Sequence, residues 1–238
     1  MKVIDNLIVN LNSEDPQALV AFYRDKIGLK PNPEVGGSVL MAASTRLVIG
    51  GHGELKGAAK EPQRTILNFA VDDAGKEMAR LEAAGVQFLG PPSNEPISFA
   101  TFTDPDGNYG QVFSMAGAPA GLEMFAVART SEDAPRMQEF YRNVVGLSDD
   151  FPQLGNPFMA GETFIYVSPH SEVHGQAKEP SRVLLNFVVE DLAAEQKRIE
   201  SHGVRFLRTA AREDRVGIVS TFPDPDGNLL RLVESRFG

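Results

Sequence analysis

Apolar and polar residues alternate from Val3 to Leu11. Leu7, Val9 and Leu11 fall on one face and Asn6, Ile8 and Asn10 on the other, the period of a half-buried strand. The period then lengthens. Ser13, Asp15 and Pro16 open a helix, with a capping side chain ahead of a proline in the first turn. Leu19, Phe22, Tyr23 and Ile27 form its apolar stripe, and Gly28 stops it. Short strands are predicted near 38–42 and 46–50, then a loop over 51–63 rich in Gly, Ala and charge. The pattern restarts with a strand over 65–71. Asp72 or Asp73 caps a second helix, whose stripe includes Met78 and Leu81 and which Gly85 ends. Strands near 86–89, 99–103 and 109–114 complete the unit.

The whole unit is then repeated. Phe22-Tyr23-Arg24 returns 118 residues later as Phe140-Tyr141-Arg142, and Ala59-Lys60-Glu61-Pro62 returns at the same distance as Ala177-Lys178-Glu179-Pro180. Leu67-Asn68-Phe69 likewise returns as Leu185-Asn186-Phe187. Asp104-Pro105-Asp106-Gly107-Asn108 returns 120 residues later, so the second copy gained two residues between Phe206 and Phe222. An offset held over so many motifs means two copies of one fold. The predicted organisation is a first domain over 1–116, a small-residue linker over 117–121 and a second domain over 122–238. Each Asp-Pro-Asp-Gly-Asn string reads as a hairpin turn. Its glycine and its missing distal carboxylate do not fit a calcium loop.

Composition narrows the function classes. The 238 residues are 42% hydrophobic and 23% charged, as in ordinary globular proteins, with net charge −9. No basic stripe exists to neutralise phosphates, which argues against nucleic acid and anionic membranes. No apolar run approaches bilayer-spanning length and no signal-peptide plan is visible at the N-terminus, so a cytoplasmic protein is expected. Cysteine is absent, which removes disulfides, thiolate metal sites and thiol nucleophiles. The partner expected is a small molecule, bound by a monomer or homodimer.

The strand, Asp/Pro-opened helix with Phe-Tyr, Gly-Leu, second strand ending in acidic residues, helix, Gly-Val and Phe-x-Asp-Pro-Asp-Gly-Asn hairpin together resemble the vicinal oxygen chelate superfamily. Its members include glyoxalases, extradiol dioxygenases, fosfomycin-resistance enzymes and bleomycin-resistance proteins. The resemblance implies an α+β fold of two tandem domains, each of paired β-α-β-β-β modules forming a cup-shaped mixed sheet with helices outside. It also implies a divalent metal held by His and Glu on cavity-facing strand positions. Matched residue by residue, those positions carry Asn6 and Met124, Ile66 and Leu184, and Gln111 and Arg231. A further one falls near Val48 or Gly50, and near Tyr166 or Ser168. None is His, Asp or Glu, and most offer no ligand for a hard cation. No metal and no other cofactor is therefore expected.

Four histidines remain. His202 precedes a helix-ending glycine, where a cation is favourable. His52 and His170 correspond in the repeat, and with His174 they sit on loops that could act as lids. The expected ligand pockets contain Asn6, Asn10, Asn68 and Gln111 in the first copy and Met124, Tyr166, Asn186 and Arg231 in the second. Asn68 and Asn186 are candidates for a scaffold hydrogen bond or a ligand contact. Arg231 needs an anion, either Glu162 or Glu123 or an acidic ligand. The resulting reading is a metal-independent small-molecule binding or sequestering protein without metal-dependent catalysis. The alternatives are a lyase or dioxygenase with atypical ligands such as His52, His170 and His174, and a non-catalytic interaction module.

Overall fold

The computed structural model describes Met1 and residues 3–93, 97–116, 121, 123–213 and 217–234. The first copy contains β1 (Ile8–Ser13), α1 (Pro16–Ala21), β2 (Lys30–Pro31), β3 (Val39–Ala42) and β4 (Thr45–Gly51). Its second module contains β5 (Thr65–Ala70), α2 (Ala74–Ala83), β6 (Gln87–Phe88), β7 (Ile97–Thr103) and β8 (Tyr109–Met115). The second copy begins with β9 (Phe125–Ser131), α3 (Ala134–Glu139), β10 (Phe158–Ala160) and β11 (Thr163–Pro169). It closes with β12 (Val183–Val188), α4 (Leu192–Glu200), β13 (Arg208–Glu213), β14 (Gly217–Pro223) and β15 (Leu229–Glu234). The fold is α+β in two tandem copies, as the repeat implies. Of the linker read at 117–121, residues 117–120 lie outside the described residues. No helix among the described residues is long and apolar enough to cross a membrane.

The local chemistry acts as read. Asp15, Asp73, Asp133 and Asp191 cap the four helices by accepting from backbone N–H groups. One detail differs from the helix expected over the Phe-Tyr motif. Phe22–Ile27 and Phe140–Val145 are wound as π-helix, closed by Gly28 and Gly146 at φ 92° and 82°. The wider turn lets two consecutive aromatics face the core, and Phe22 and Tyr23 meet edge to face at 5.3 Å.

Strand pairing decides where a site can lie. One sheet runs β13-β14-β15-β12-β1-β4-β3-β2 and the other β10-β11-β9-β5-β8-β7-β6. The first module therefore shares its sheet with the fourth, through antiparallel β1 and β12. The second shares with the third, through β5 and β9. Each concave sheet takes one module from each copy. Leu7, Val9, Leu11, Leu67, Phe69, Val127, Leu185 and Phe187 all face the helices and are buried, which leaves the alternate positions for the concave faces.

A buried polar knot ties the copies where the two Ala-Lys-Glu-Pro loops meet. The Arg64 guanidinium donates to Glu61 at 2.8 Å and lies 3.5 Å from Asp226. Arg182 repeats this with Glu179 at 2.8 Å and Asp106 at 3.8 Å. The carboxylates are exchanged between copies, because the Lys60 amide donates to Glu179 and the Lys178 amide to Glu61, at 2.8 and 2.7 Å. Thr45 and Thr163, counterparts in the repeat, share a buried hydrogen bond of 2.6 Å.

Candidate functional site

Cross-strand register lays out the middle of each concave face. In the seven-stranded sheet, Gln111 pairs with Asn68, Asn68 with Ala126 and Ala126 with Phe164. In the eight-stranded sheet the equivalent row is Arg231, Asn186, Ile8 and Arg46. The two rows correspond residue by residue in the repeat. Beyond them, Thr101 stands opposite Gln111 and Thr221 opposite Arg231. Leu89 and Leu207 then close each row at the rim, where both stay exposed.

This layout regroups the residues expected in the pockets. Asn10, Asn186 and Arg231 share the eight-stranded face, whereas Asn68, Gln111 and Tyr166 share the seven-stranded one. The sequence grouping assumed that consecutive modules share a cup. A repeat offset is equally satisfied when modules pair across copies, which is what occurs here. Asn6 and Met124 precede β1 and β9 and leave the rows. The Asn6 side-chain oxygen accepts from the Glu162 amide at 2.7 Å, at the turn between β10 and β11. Met124 lines a groove beside the corresponding turn, Ala42 and Ala43.

The amides matched in the two copies have structural work. Asn68 donates to the Ile66 carbonyl at 3.0 Å, and Asn186 to the Ile8 carbonyl at 2.8 Å and to Asn10 Oδ1 at 3.1 Å. The Asn186 bonds cross the β1–β12 seam, while Asn68 bonds along its own strand and reaches the Ala126 carbonyl across the β5–β9 seam at 3.5 Å. Gln111 donates to Thr101 at 2.9 Å. Arg231 is buried and answered from within the protein, but by neither acid proposed from sequence. Its partner is Glu213 on β13, which also accepts from Arg208 at 2.6 Å. Glu213 lies on the hairpin that carries the two-residue insertion, where Ala210 has φ 44° and the β13–β14 register shifts. Only that insertion signalled the partner in the sequence.

The loops read as lids are drawn into the centre. Ala59 donates to the Asp106 carbonyl and Ala177 to the Asp226 carbonyl, both at 2.7 Å. Arg64 reaches the carbonyls of His174 and Gly175 at 3.1 Å. His174 lies 3.2 Å from Glu132 on the surface, and His170 Nδ1 accepts from the Glu172 amide at 3.2 Å. His52 has no comparable side-chain bond, and its backbone amide holds the Ser13 carbonyl. Among the described residues the three histidines join no metal-binding group, and no cluster of three His, Asp or Glu exists that could hold an ion.

The donor set on each face likewise does not fit the superfamily's metal. The eight-stranded face offers Leu184, Val48 and a cation paired to Glu213 at the matched positions. The seven-stranded face offers Ile66, Tyr166 and Gln111, whose amide nitrogen donates to Thr101 and whose oxygen is a lone neutral donor for a metal. Moving from Asn6 and Met124 to the next inward residues gives Ile8 and Ala126, which have no donor atom in the side chain. A separate groove of about 560 Å³ lies away from both faces, between Leu29–Lys30, the Ala42–Ala43 turn and Phe69–Asp72. In the other half, Met1 and residues 3–7 occupy the equivalent place. The Met1 amine donates to the Gly146 carbonyl there and the Ile4 amide to the Val188 carbonyl. The groove therefore corresponds to a place that the chain itself occupies in the other half.

The hairpin turns hold the most perturbed carboxyls. Asp104 accepts from the Asp106 and Asn108 amides and from the Asn108 side chain, each at 2.9 Å, and from Tyr23 at 3.0 Å. Asp224 repeats the bonds to Asp226 and Asn228. Burial nonetheless raises both carboxyls from 3.8 to about 6. The folded state therefore favours the protonated form more than the unfolded chain does. Their contribution to stability is therefore full below pH 3.8 and lost as pH rises through about 6, on the order of 3 kcal/mol for each. Glu61 and Glu179 act in the other direction. Burial works to raise them, but the arginine and amide donors outweigh it and hold them below 4.5, so their contribution is lost as pH falls. Carboxyl carbon NMR should show two aspartates titrating near pH 6. Midpoints near 4 would remove the acid-side stabilisation.

The profile of the Glyoxalase/Bleomycin resistance protein/Dioxygenase superfamily matches residues 6–112 and again 124–232. The chain belongs to this superfamily. Glyoxalase I from Zea mays is similar in fold, with a TM-score of 0.66 at 16% identity over 97% of this chain and 92% of that one. A protein named as a "putative dioxygenase" from Bacillus subtilis subsp. subtilis str. 168 superposes with a TM-score of 0.63 at 16% identity. It covers 100% of this chain and 87% of its own. Comparison with curated proteins returns no match. At these identities the likeness establishes the superfamily's two-copy architecture and leaves the chemistry to this chain's own residues.

Proposed function

We propose that this superfamily member is a metal-independent small-molecule binding protein that sequesters its ligand in a concave sheet face. The observation that carries the reading is the replacement of the ligating positions on both faces by residues without suitable donors, while the faces remain lined by partly exposed apolar side chains. Small-molecule pockets have this composition, mostly apolar with a few placed polar groups. The expected result is that untagged protein carries no stoichiometric zinc, iron, manganese or nickel. Its melting temperature should be unchanged by a chelator, since no metal is linked to folding. A library of apolar small molecules should contain compounds that raise that temperature. Stoichiometric metal, with a chelator-induced fall in melting temperature, would overturn the proposal in favour of a metal-dependent lyase or dioxygenase.

A further inference from the structure

Resting on that reading, we infer that the two faces are not equivalent and that the seven-stranded one takes an uncharged aromatic ligand. The rows make the comparison direct. Where the eight-stranded face carries Arg231 and Arg46, the seven-stranded face carries Gln111 and Phe164. Arg231 is committed to Glu213 and Arg46 to Asp5, so that face carries two ion pairs within the chain, one largely buried at Arg231 and one partly exposed at Arg46. An anionic ligand there would have to displace a carboxylate already in place.

The seven-stranded row has no charge among Gln111, Asn68, Ala126 and Phe164, and its flanks are aromatic. Phe99 packs on Phe113 across β7 and β8 with ring centroids 6.1 Å apart. Tyr166 stands opposite Ala128, and Tyr109 lies on the same face of β8. Phe99, Tyr109, Phe164 and Tyr166 are all partly exposed, unlike Tyr23 and Tyr141, which are fully buried in the core. Ala128, between Ile66 and Tyr166 in the cross-strand register, is a partly exposed small residue, while Ala126 beside it is buried. A flat ring laid over Ala128 can meet the neighbouring Tyr166 face to face or at its edge, the geometry that aromatic pairs favour. A charged group there would lose water without gaining a counter-ion. Gln111 and Thr101 can orient one polar substituent.

The test uses two dyes sharing one aromatic skeleton. N-phenyl-1-naphthylamine is neutral, and 1-anilinonaphthalene-8-sulfonate adds a single negative charge. The neutral dye should bind one per chain and more tightly than the sulfonate. Phe164→Arg installs the residue that the matched position of the other face already carries. It should weaken the neutral dye by about tenfold. Tyr109→Ala should also weaken it, and Arg46→Gln should not. Circular dichroism confirms that each variant is folded. Tighter binding of the sulfonate, lost in Arg231→Gln, would move the site to the eight-stranded face and overturn this inference while keeping the sequestering reading. Neutral-dye binding indifferent to Phe164→Arg and Tyr109→Ala would likewise place it elsewhere. Failure of both dyes to bind the folded wild-type protein, together with no stabilising compound in the library, would overturn both.

Discussion

Arg182→Ala should lower stability by about 3–5 kcal/mol, the cost of leaving a buried carboxylate without its cation. At this chain length the melting temperature should fall by roughly 6–20 °C. The side chains of Arg182 and Glu179 are 7% and 10% exposed, so solvent cannot replace the lost partner as it would on the surface. Arg182 also holds the Gly57 carbonyl at 3.2 Å, and Glu179 receives the Lys60 amide of the other copy. The loss therefore reaches both copies, and thermal unfolding should remain a single transition. Arg182→Met combined with Glu179→Leu removes both charges and should recover part of the deficit. A surface-like change below about 1 kcal/mol in denaturant titration would show that the knot is solvated.

Gly110→Leu should be as damaging, although the repeat makes it look harmless. The counterpart of Gly110 in the second copy is Leu230, which is fully buried opposite Phe222. In the first copy the ring of Phe102 lies directly over Gly110. A Cβ there would stand 2.9 Å from Cε1 and closer still to Cζ and Cε2. Phe102 cannot step aside, because it is fully buried against Phe22, Phe69 and Phe88. Overpacking of this kind costs about 1–3 kcal/mol, and a whole leucine side chain places the effect at or beyond the upper end. Gly110→Ala should show the smaller part of the same effect. Wild-type stability in Gly110→Leu would mean that the phenylalanine cluster repacks freely.

These two sites also show what could be read from the sequence. Alternation at Leu7, Val9 and Leu11, the Asp15 and Asp73 caps and the Gly28 stop are local signals, each fixed by a few neighbouring residues. All appear in the structure within a residue or two. The ring over Gly110 depends on which strand lies beside which and how a distant cluster packs. The partner of Arg231 is similarly non-local in character, since Glu213 reaches it only through the bulged β13–β14 hairpin. The faces of the strands were legible, but the seams β1–β12 and β5–β9 were not. Asn68 and Asn186 stand on those seams, and their matched places in the repeat reflect the bonds that hold the seams together.

Those seams carry a consequence for how the protein can change over generations. Two separate half-length chains paired in the same way would be bound by symmetry. Any substitution near one ligand face would be copied into the other, and an arginine facing one row would face both. Joining the halves in one polypeptide lifts that obligation. Each face still draws on both halves, yet its residues are encoded once. One face could thus fill with ion pairs while the other kept its aromatic walls, without either change being imposed on its twin.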